Sequence, residues 1–328
     1  MSLTVRILGN DELETWNRFV DEHPEGTIFH TTHWLQLIGP GIEVIGVFSG
    51  DELKAGLATI RSVRNRVSGL HIPAYTQYFS PLYMYQASRH SLTEEHECIR
   101  LILEKVGREK HIDFKLPRGH QSILPYHWKG YECTVRLTHI IEGSLEDYLS
   151  NLNKNKVREL KKLEALVGTH ALSVSEDISE EELRHLFKQT TERKGFDAQD
   201  AVAIRLVTDA GNSFSKKIVI RSKEHGLLAF GFFPFDSKAV YNLINVSVRV
   251  TDPVLKTVNL LLLYRAIEFA LTNKRIFDFE GSMLPGVEAF CRLMGGVQSP
   301  TYRVQKSNSL AYSLLRAANQ LKNDRRKA

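Results

Sequence analysis

Two stretches of the chain alternate in the same way. Residues 44–60, VIGVFSGDELKAGLATI, read as a strand, a polar turn at Ser49-Gly50-Asp51 and a second strand. Residues 218–233, IVIRSKEHGLLAFGFF, read as a strand, a polar turn around Lys223-Glu224 and a second strand. Each second strand carries small residues inside it, Ala55-Gly56 in the first and Ala229-Phe230-Gly231 in the second. Glycine weakens a strand, so these positions predict that something approaches the backbone closely. More strand-like sequence follows at 75–84 and 239–248, then a long helix at 94–110 and 253–274. Each helix leads into a strand, HIDFKL at 111–116 and RIFDFEG at 275–281, and both carry Asp-Phe, at Asp113-Phe114 and Asp278-Phe279. Strand, hairpin, strand, helix, strand thus occurs twice. The pattern predicts an internal duplication in an α/β (α+β) chain. The boundary is expected near 138–145, with a first domain at 1–140, a second at 141–312 and a basic tail at 313–328.

The second long helix has a marked start at Thr251-Asp252-Pro253, an aspartate N-cap followed by proline. It is apolar nearly all round, which predicts deep burial. A different helix is expected from Leu145 to about Val167. Its Lys154, Arg158, Lys161 and Lys162 fall on one face. Such a face serves phosphate binding or is simply solvated. Asn151, Asn153 and Asn155 interleave with the basic residues, and asparagine is a poor helix-interior residue, which favours a contact role. The stretch YSLLRAANQLKNDRRKA at 312–328 reads as a short amphipathic helix with a basic end. Its basic part, Arg316 to Lys327, is either an attachment to an anionic membrane face or a frayed terminus.

Composition changes this picture little. With 328 residues, 42% hydrophobic and 25% charged, the chain can build one large core or two ordinary ones. A net charge of +5 and a pI near 9.0 are compatible with an anionic partner without requiring one. Cys98, Cys133 and Cys291 have neither disulfide nor zinc spacing, so a reducing compartment and no metal centre are expected. The opening MSLTVRILGNDELETW has no signal-peptide pattern, and no apolar run approaches a membrane span. A cytoplasmic location is therefore expected.

The candidate chemistry gathers in FDFEGSMLPGVEAFCRLMGG, 277–296. Strand alternation predicts that Asp278 and Glu280 share one face and the phenylalanines the other. Paired buried carboxylates raise one pKa, which suits a general base. The alternative is that Asp278 bonds loop backbone while Glu280 pairs with an arginine such as Arg292. In the first copy, Lys115 stands where the second has Glu280. GxGxxG, GxxxxGK and GxSxG patterns are absent. The lead-in to the second long helix, 246–252, has no glycine, and Asp252 puts negative charge where a diphosphate would sit, with Arg249 and Lys256 to offset it.

Taken together, these residues resemble the Fem-type aminoacyltransferases and the wider GNAT-like acyltransferase group. WNRFVDEHPEGTIFHTTHWLQLI (16–38) looks like the family's opening, and NKNKVRELKKLEALVGTH (153–170) like its basic helix before the second domain. FDFEGSMLPGVEAFCRLMGG looks like its late strand-turn-helix. The resemblance spans nearly the whole chain. It implies two tandem GNAT-like folds, each a mixed, mostly antiparallel sheet flanked by helices, with the transfer site in the second. It implies a donor, aminoacyl-tRNA or acyl-CoA, and an amine acceptor on an anionic cell-envelope precursor. The missing glycine loop separates this chain from the acyl-CoA users. Glu280 and Asp278 are then the candidate base residues, and Ser282 and Tyr302 candidate proton relays. Lys154, Arg158, Lys161, Ala229, Gly231, Asn245, Arg249 and Lys256 are the candidate substrate contacts. Two alternatives remain at this point. One is an acyl-CoA-dependent N-acetyltransferase of an amino sugar or small amine. The other is a non-catalytic binding protein that keeps the fold.

Overall fold

The computed structural model describes residues 2–84, 91–120, 122–194, 200–248, 250–281 and 283–309. The chain divides into two compact units, one of residues 1–135 together with the chain from 301 onward, the other of residues 136–300.

The first unit begins β1 (Leu3–Ile7), α1 (Leu13–Glu22), α2 (Thr32–Ile38), β2 (Ile42–Ser49) and β3 (Glu52–Ile60). It continues β4 (Ser62–Arg64), β5 (Val67–Gly69), β6 (Leu82–Tyr83), α3 (Leu92–Val106), β7 (His111–Leu116) and α4 (Leu124–Trp128). β1, β2, β3 and β6 form one antiparallel sheet in that order. The expected hairpin is present, with Gly46 opposite Gly56. The expected strand at 75–84 shrinks to β6 and a single bridge from Phe79 to Lys115. A side chain on Gly56 would lie 2.5 Å from the Trp16 ring, so the small residue makes room for a buried indole. α3 buries Cys98, Ile99, Ile102, Leu103 and Val106 against this sheet and β7.

β8 (Glu132–Ile141) carries the chain into the second unit. There follow α5 (Leu145–Asn151), α6 (Lys154–Gly168), β9 (Leu172–Ser175), α7 (Glu180–Lys194) and α8 (Asp200–Asp209). Next come β10 (Ser215–Ser222), β11 (Gly226–Pro234), β12 (Ala239–Tyr241), β13 (Ile244–Ser247) and α9 (Val258–Thr272). The last elements are β14 (Ile276–Asp278), α10 (Pro285–Leu293) and β15 (Val297–Ser307). Strands order β13-β11-β10-β9, all antiparallel. β12 runs parallel to β14, and β14 antiparallel to β8. α9 buries ten side chains from Val258 to Leu271, as its all-round apolar pattern requires.

Three local expectations change. The helix at 145–167 is two helices, because Leu152 takes an extended backbone and the Asn153 side chain accepts the Asn155 N–H at 3.0 Å. Asn151 bonds back to the Asp147 carbonyl at 2.9 Å. These asparagines end one helix and cap the next, which accounts for them without a ligand. α9 starts at Val258, after a 3-10 turn at Leu255–Thr257. The strand expected at 239–248 breaks at Asn242-Leu243 into β12 and β13.

The chain-order division at residue 140 also differs from the contacts. From Thr301 the chain groups with the first unit, because Tyr302 to Ser307 pair in register with Leu116 to His111 of β7. Arg303 grips buried Asp113 there through two bonds of 2.8 and 2.6 Å.

Candidate functional site

The second unit's candidate site is built where β14 stops. Asp278 is fully buried on the strand, and its backbone carbonyl accepts the Asn242 N–H at 2.9 Å. Its Oδ1 accepts the Thr138 hydroxyl at 2.5 Å and the Glu280 N–H at 2.8 Å. Phe279 still donates to the His139 carbonyl of β8 at 2.9 Å. Then the backbone turns left-handed twice, at Glu280 (φ 61°) and Gly281 (φ 67°). Gly281 is required on two grounds. A Cβ there would lie 2.1 Å from the Leu137 carbonyl oxygen and 2.7 Å from the Thr138 Cα, both backbone atoms of β8. Glu280 has no such excuse. A side chain in the left-handed region costs about 1–2 kcal/mol, so this half-buried glutamate is held there by its surroundings.

The expectation that Asp278 and Glu280 share a strand face is therefore corrected. β14 ends at Asp278, and the left-handed turn re-aims the following residue. Asp278 spends its Oδ1 on the turn, as the loop-bonding alternative had it. Arg292 lies against Glu288 at 3.2 Å rather than being Glu280's counter-ion. α10 begins at Pro285, and Met283 to Val287 around its start are exposed.

Two residues the sequence reading missed also lie here. Thr138 is one, buried on β8 and joined to Asp278 by a contact 140 residues away in sequence. His139 is the other. It is fully buried, its Nε2 is 3.7 Å from a Glu288 oxygen, and neither ring nitrogen is hydrogen-bonded among the described residues. Neighbouring Cys291 is buried, and burial pushes its thiol up to about 11, with the Glu288 and Asp278 charges adding to the effect. It is no thiolate nucleophile at neutral pH.

The other sequence candidates fall in several places. Lys154, Arg158 and Lys161 are all exposed on α6, whose Leu160 and Leu163 face the core. Ala229 and Gly231 are buried on β11, and Gly231 pairs with Asn245 of β13. A Cβ on Gly231 would lie 2.4 Å from the Phe233 ring and 3.3 Å from Leu262. As at Gly56, the glycine accommodates a core ring, which replaces donor contact as the reason for it. Lys256 is exposed in the turn before α9. The Asp252 carboxylate accepts the Val254 and Leu255 N–H groups, each at 2.8 Å, at the start of that turn. The negative charge read from the sequence is thus seated on two backbone N–H groups ahead of α9. Tyr302 belongs to the first unit, on β15 against that unit's core. Ser282 and Arg249 lie outside the described residues, as does the expected helix at 312–328.

A cavity of about 580 Å³ in the second unit contains none of these residues. It lies between β9, β10 and α9, and its Lys216 and Arg265 are ion-paired with Glu176 and with Glu268 and Glu164. Among the described residues no cluster of metal-ligating side chains occurs, and no helix is long and apolar enough to cross a membrane.

The architecture has counterparts among solved structures. The crystal structure of FemX superposes with a TM-score of 0.66 at 15% identity, covering 92% of this chain and 97% of that one. A tandem GNAT protein from the clavulanic acid biosynthesis pathway matches with a TM-score of 0.56 at 10% identity, over 94% and 99% of the two chains. The structure of L-PGS from Bacillus licheniformis matches with a TM-score of 0.55 at 14% identity, over 94% and 95%. The chain shares the fold of FemX and of the tandem GNAT protein. No family profile matches its sequence, and no curated protein does.

Proposed function

We propose that this protein is an N-aminoacyl- or N-acyltransferase whose chemistry lies in the second unit at Glu280, and whose acceptor is an amine on an anionic cell-envelope precursor. The observation that carries the reading is Glu280 itself: a non-glycine residue kept left-handed at the end of β14, on a fold shared with acyltransferases.

The chemistry follows from an activated ester and a protonated amine. A lysine-like amine has an unperturbed pKa near ~10.4 and attacks only after losing a proton. The Glu280 carboxylate takes that proton first, and the neutral amine nitrogen then bonds to the donor carbonyl carbon. The ester C–O bond breaks as the nitrogen gives up its second proton, which ends on the leaving ribose oxygen of the tRNA. An aminoacyl ester is already activated, so positioning supplies much of the rate. The exposed cations of α6, Lys154, Arg158 and Lys161, would hold the donor's phosphates or the acceptor's diphosphate. Ser282 remains a candidate relay, whereas Tyr302, which packs against the core of the first unit, is set aside. Asn245, Arg249 and Lys256 remain candidate substrate contacts.

Aminoacyl-tRNA is the preferred donor because Asp252 already occupies the N–H groups before α9. Calorimetry or thermal shift with coenzyme A, acetyl-CoA and a panel of aminoacyl-tRNAs tests this. A donor at a hundred times its Kd raises stability by about 2.7 kcal/mol. Binding of an aminoacyl-tRNA alone is the expected result. Tight coenzyme A binding would transfer the protein to the acyl-CoA users.

A further inference from the structure

Thr138, Asp278 and Gly281 surround Glu280 in a way that its own position does not explain. We infer that Thr138 and Asp278 are positioning residues that hold the Glu280 backbone left-handed and so aim its carboxylate. The inference rests on the reading of Glu280 given above and adds two residues and a mechanism to it.

The argument runs from strain to its restraint. Left alone, the Glu280 backbone would relax to φ below zero. Three contacts oppose that. The Glu280 N–H points at Asp278 Oδ1, 2.8 Å away. The same oxygen takes the Thr138 hydroxyl at 2.5 Å, and both side chains are buried, at 0% and 1% exposure. Behind the turn, Gly281 is pressed against the Leu137 carbonyl and the Thr138 Cα. Hydrogen bonds to a carboxylate out of contact with water are stronger than neutral ones. Removing the Thr138 hydroxyl would take one of two donors from Asp278 Oδ1 and loosen the oxygen that the Glu280 N–H uses. The Glu280 N–H would then lose a fixed acceptor.

The first copy of the repeat supplies an internal contrast. Asp113 is the corresponding aspartate, also buried, and it is held by Arg303 rather than by a threonine. Its following residues Phe114-Lys115-Leu116 stay in strand β7, and none is left-handed. The left-handed turn thus goes with the threonine-held aspartate, in the unit that carries the glutamate.

Thr138→Val, Thr138→Ser, Asp278→Asn and Glu280→Gln proteins decide the matter. The first readout is amide hydrogen exchange at Glu280, which is independent of the donor. Thr138→Val is expected to speed it on the order of tenfold or more, with Thr138→Ser restoring protection. The second is transfer from aminoacyl-tRNA or acetyl-CoA to an amine. Thr138→Val should lower kcat by about ten- to a hundredfold with KM nearly unchanged, and Thr138→Ser should recover it. If Asp278→Asn does not fold, the threonine pair still answers. Unchanged Glu280 exchange in Thr138→Val refutes the clamp. Faster exchange with wild-type kcat refutes the positioning role. Wild-type turnover in Glu280→Gln, or no transfer from either donor, instead refutes the reading of Glu280, and the exchange comparison still judges the clamp.

Discussion

Gly281→Ala is the sharpest perturbation the structure offers. The added methyl carbon would sit 2.1 Å from the Leu137 carbonyl oxygen and 2.7 Å from the Thr138 Cα. Neither neighbour is the end of a flexible side chain, so β8 and the turn must separate. The left-handed backbone at Gly281 adds about 1 kcal/mol for any side chain. Overpacking against fixed atoms adds about 1–3 kcal/mol. A loss near 3 kcal/mol is expected, which at about 2–4 °C per kcal/mol for a unit of this size lowers the melting midpoint by roughly 6–12 °C. Gly286→Ala, five residues on, is the matched control. Its Cβ would meet nothing within 4 Å, in the first turn of α10. It should be neutral or stabilising by up to about 1 kcal/mol. Thermal melts of the two variants beside the wild type make the comparison. A Gly281→Ala protein that melts with the wild type would mean that the chain does not pass β8 as described.

Four further outcomes are expected. Glu280→Gly should keep stability within about 1 kcal/mol, because glycine accepts the left-handed backbone, while transfer is lost; thermal melts and a transfer assay check both halves. Arg303→Ala leaves Asp113 buried without its guanidinium and, because that guanidinium is itself partly solvated, should cost about 1–3 kcal/mol in denaturant unfolding, whereas replacing both by leucine should recover much of it. In the first unit, burial acts to lower the His120 pKa, but the bond and charge of buried Glu25, 2.9 Å away, outweigh it and raise the pKa overall. The stabilisation is therefore complete below the unfolded-state value near ~6.5 and is lost as pH rises through the higher folded value. Melting midpoints should fall across that window in the wild type and stay flatter in His120→Gln. Changing Lys154, Arg158 and Lys161 together to glutamate should leave melting within about 1 kcal/mol, since all three are exposed, yet weaken donor binding and flatten its salt dependence.

Much of the fold is legible in periodicity. Alternation marks the hairpins β2–β3 and β10–β11, and the all-round apolar run marks α9. The Asp-Phe pairs mark equivalent points in the two units. What the pattern misses depends on partners far along the chain. Gly56 and Gly231 look like room for a ligand, but Trp16 and Phe233 fill that room. Asn153 looks like a surface contact within one helix, but its side chain starts a second helix. The alternation of FDFEG points Glu280 the same way as Asp278 only if the strand continues. It stops because β8 crowds Gly281, which nothing local in sequence reveals. The two carboxylates are therefore not a side-by-side pair on one strand face.

The most direct measurement of the central claim is transfer itself. Wild-type protein and Glu280→Gln are incubated with radiolabelled aminoacyl-tRNA or acetyl-CoA and a panel of amine-bearing cell-envelope precursors. Product is followed across pH. The account predicts amide formation by the wild type from an aminoacyl-tRNA, and a rate lower by about 10²–10⁴ in Glu280→Gln with donor binding intact. Equal rates from the two proteins, or donor binding without any transfer to an amine, would contradict it.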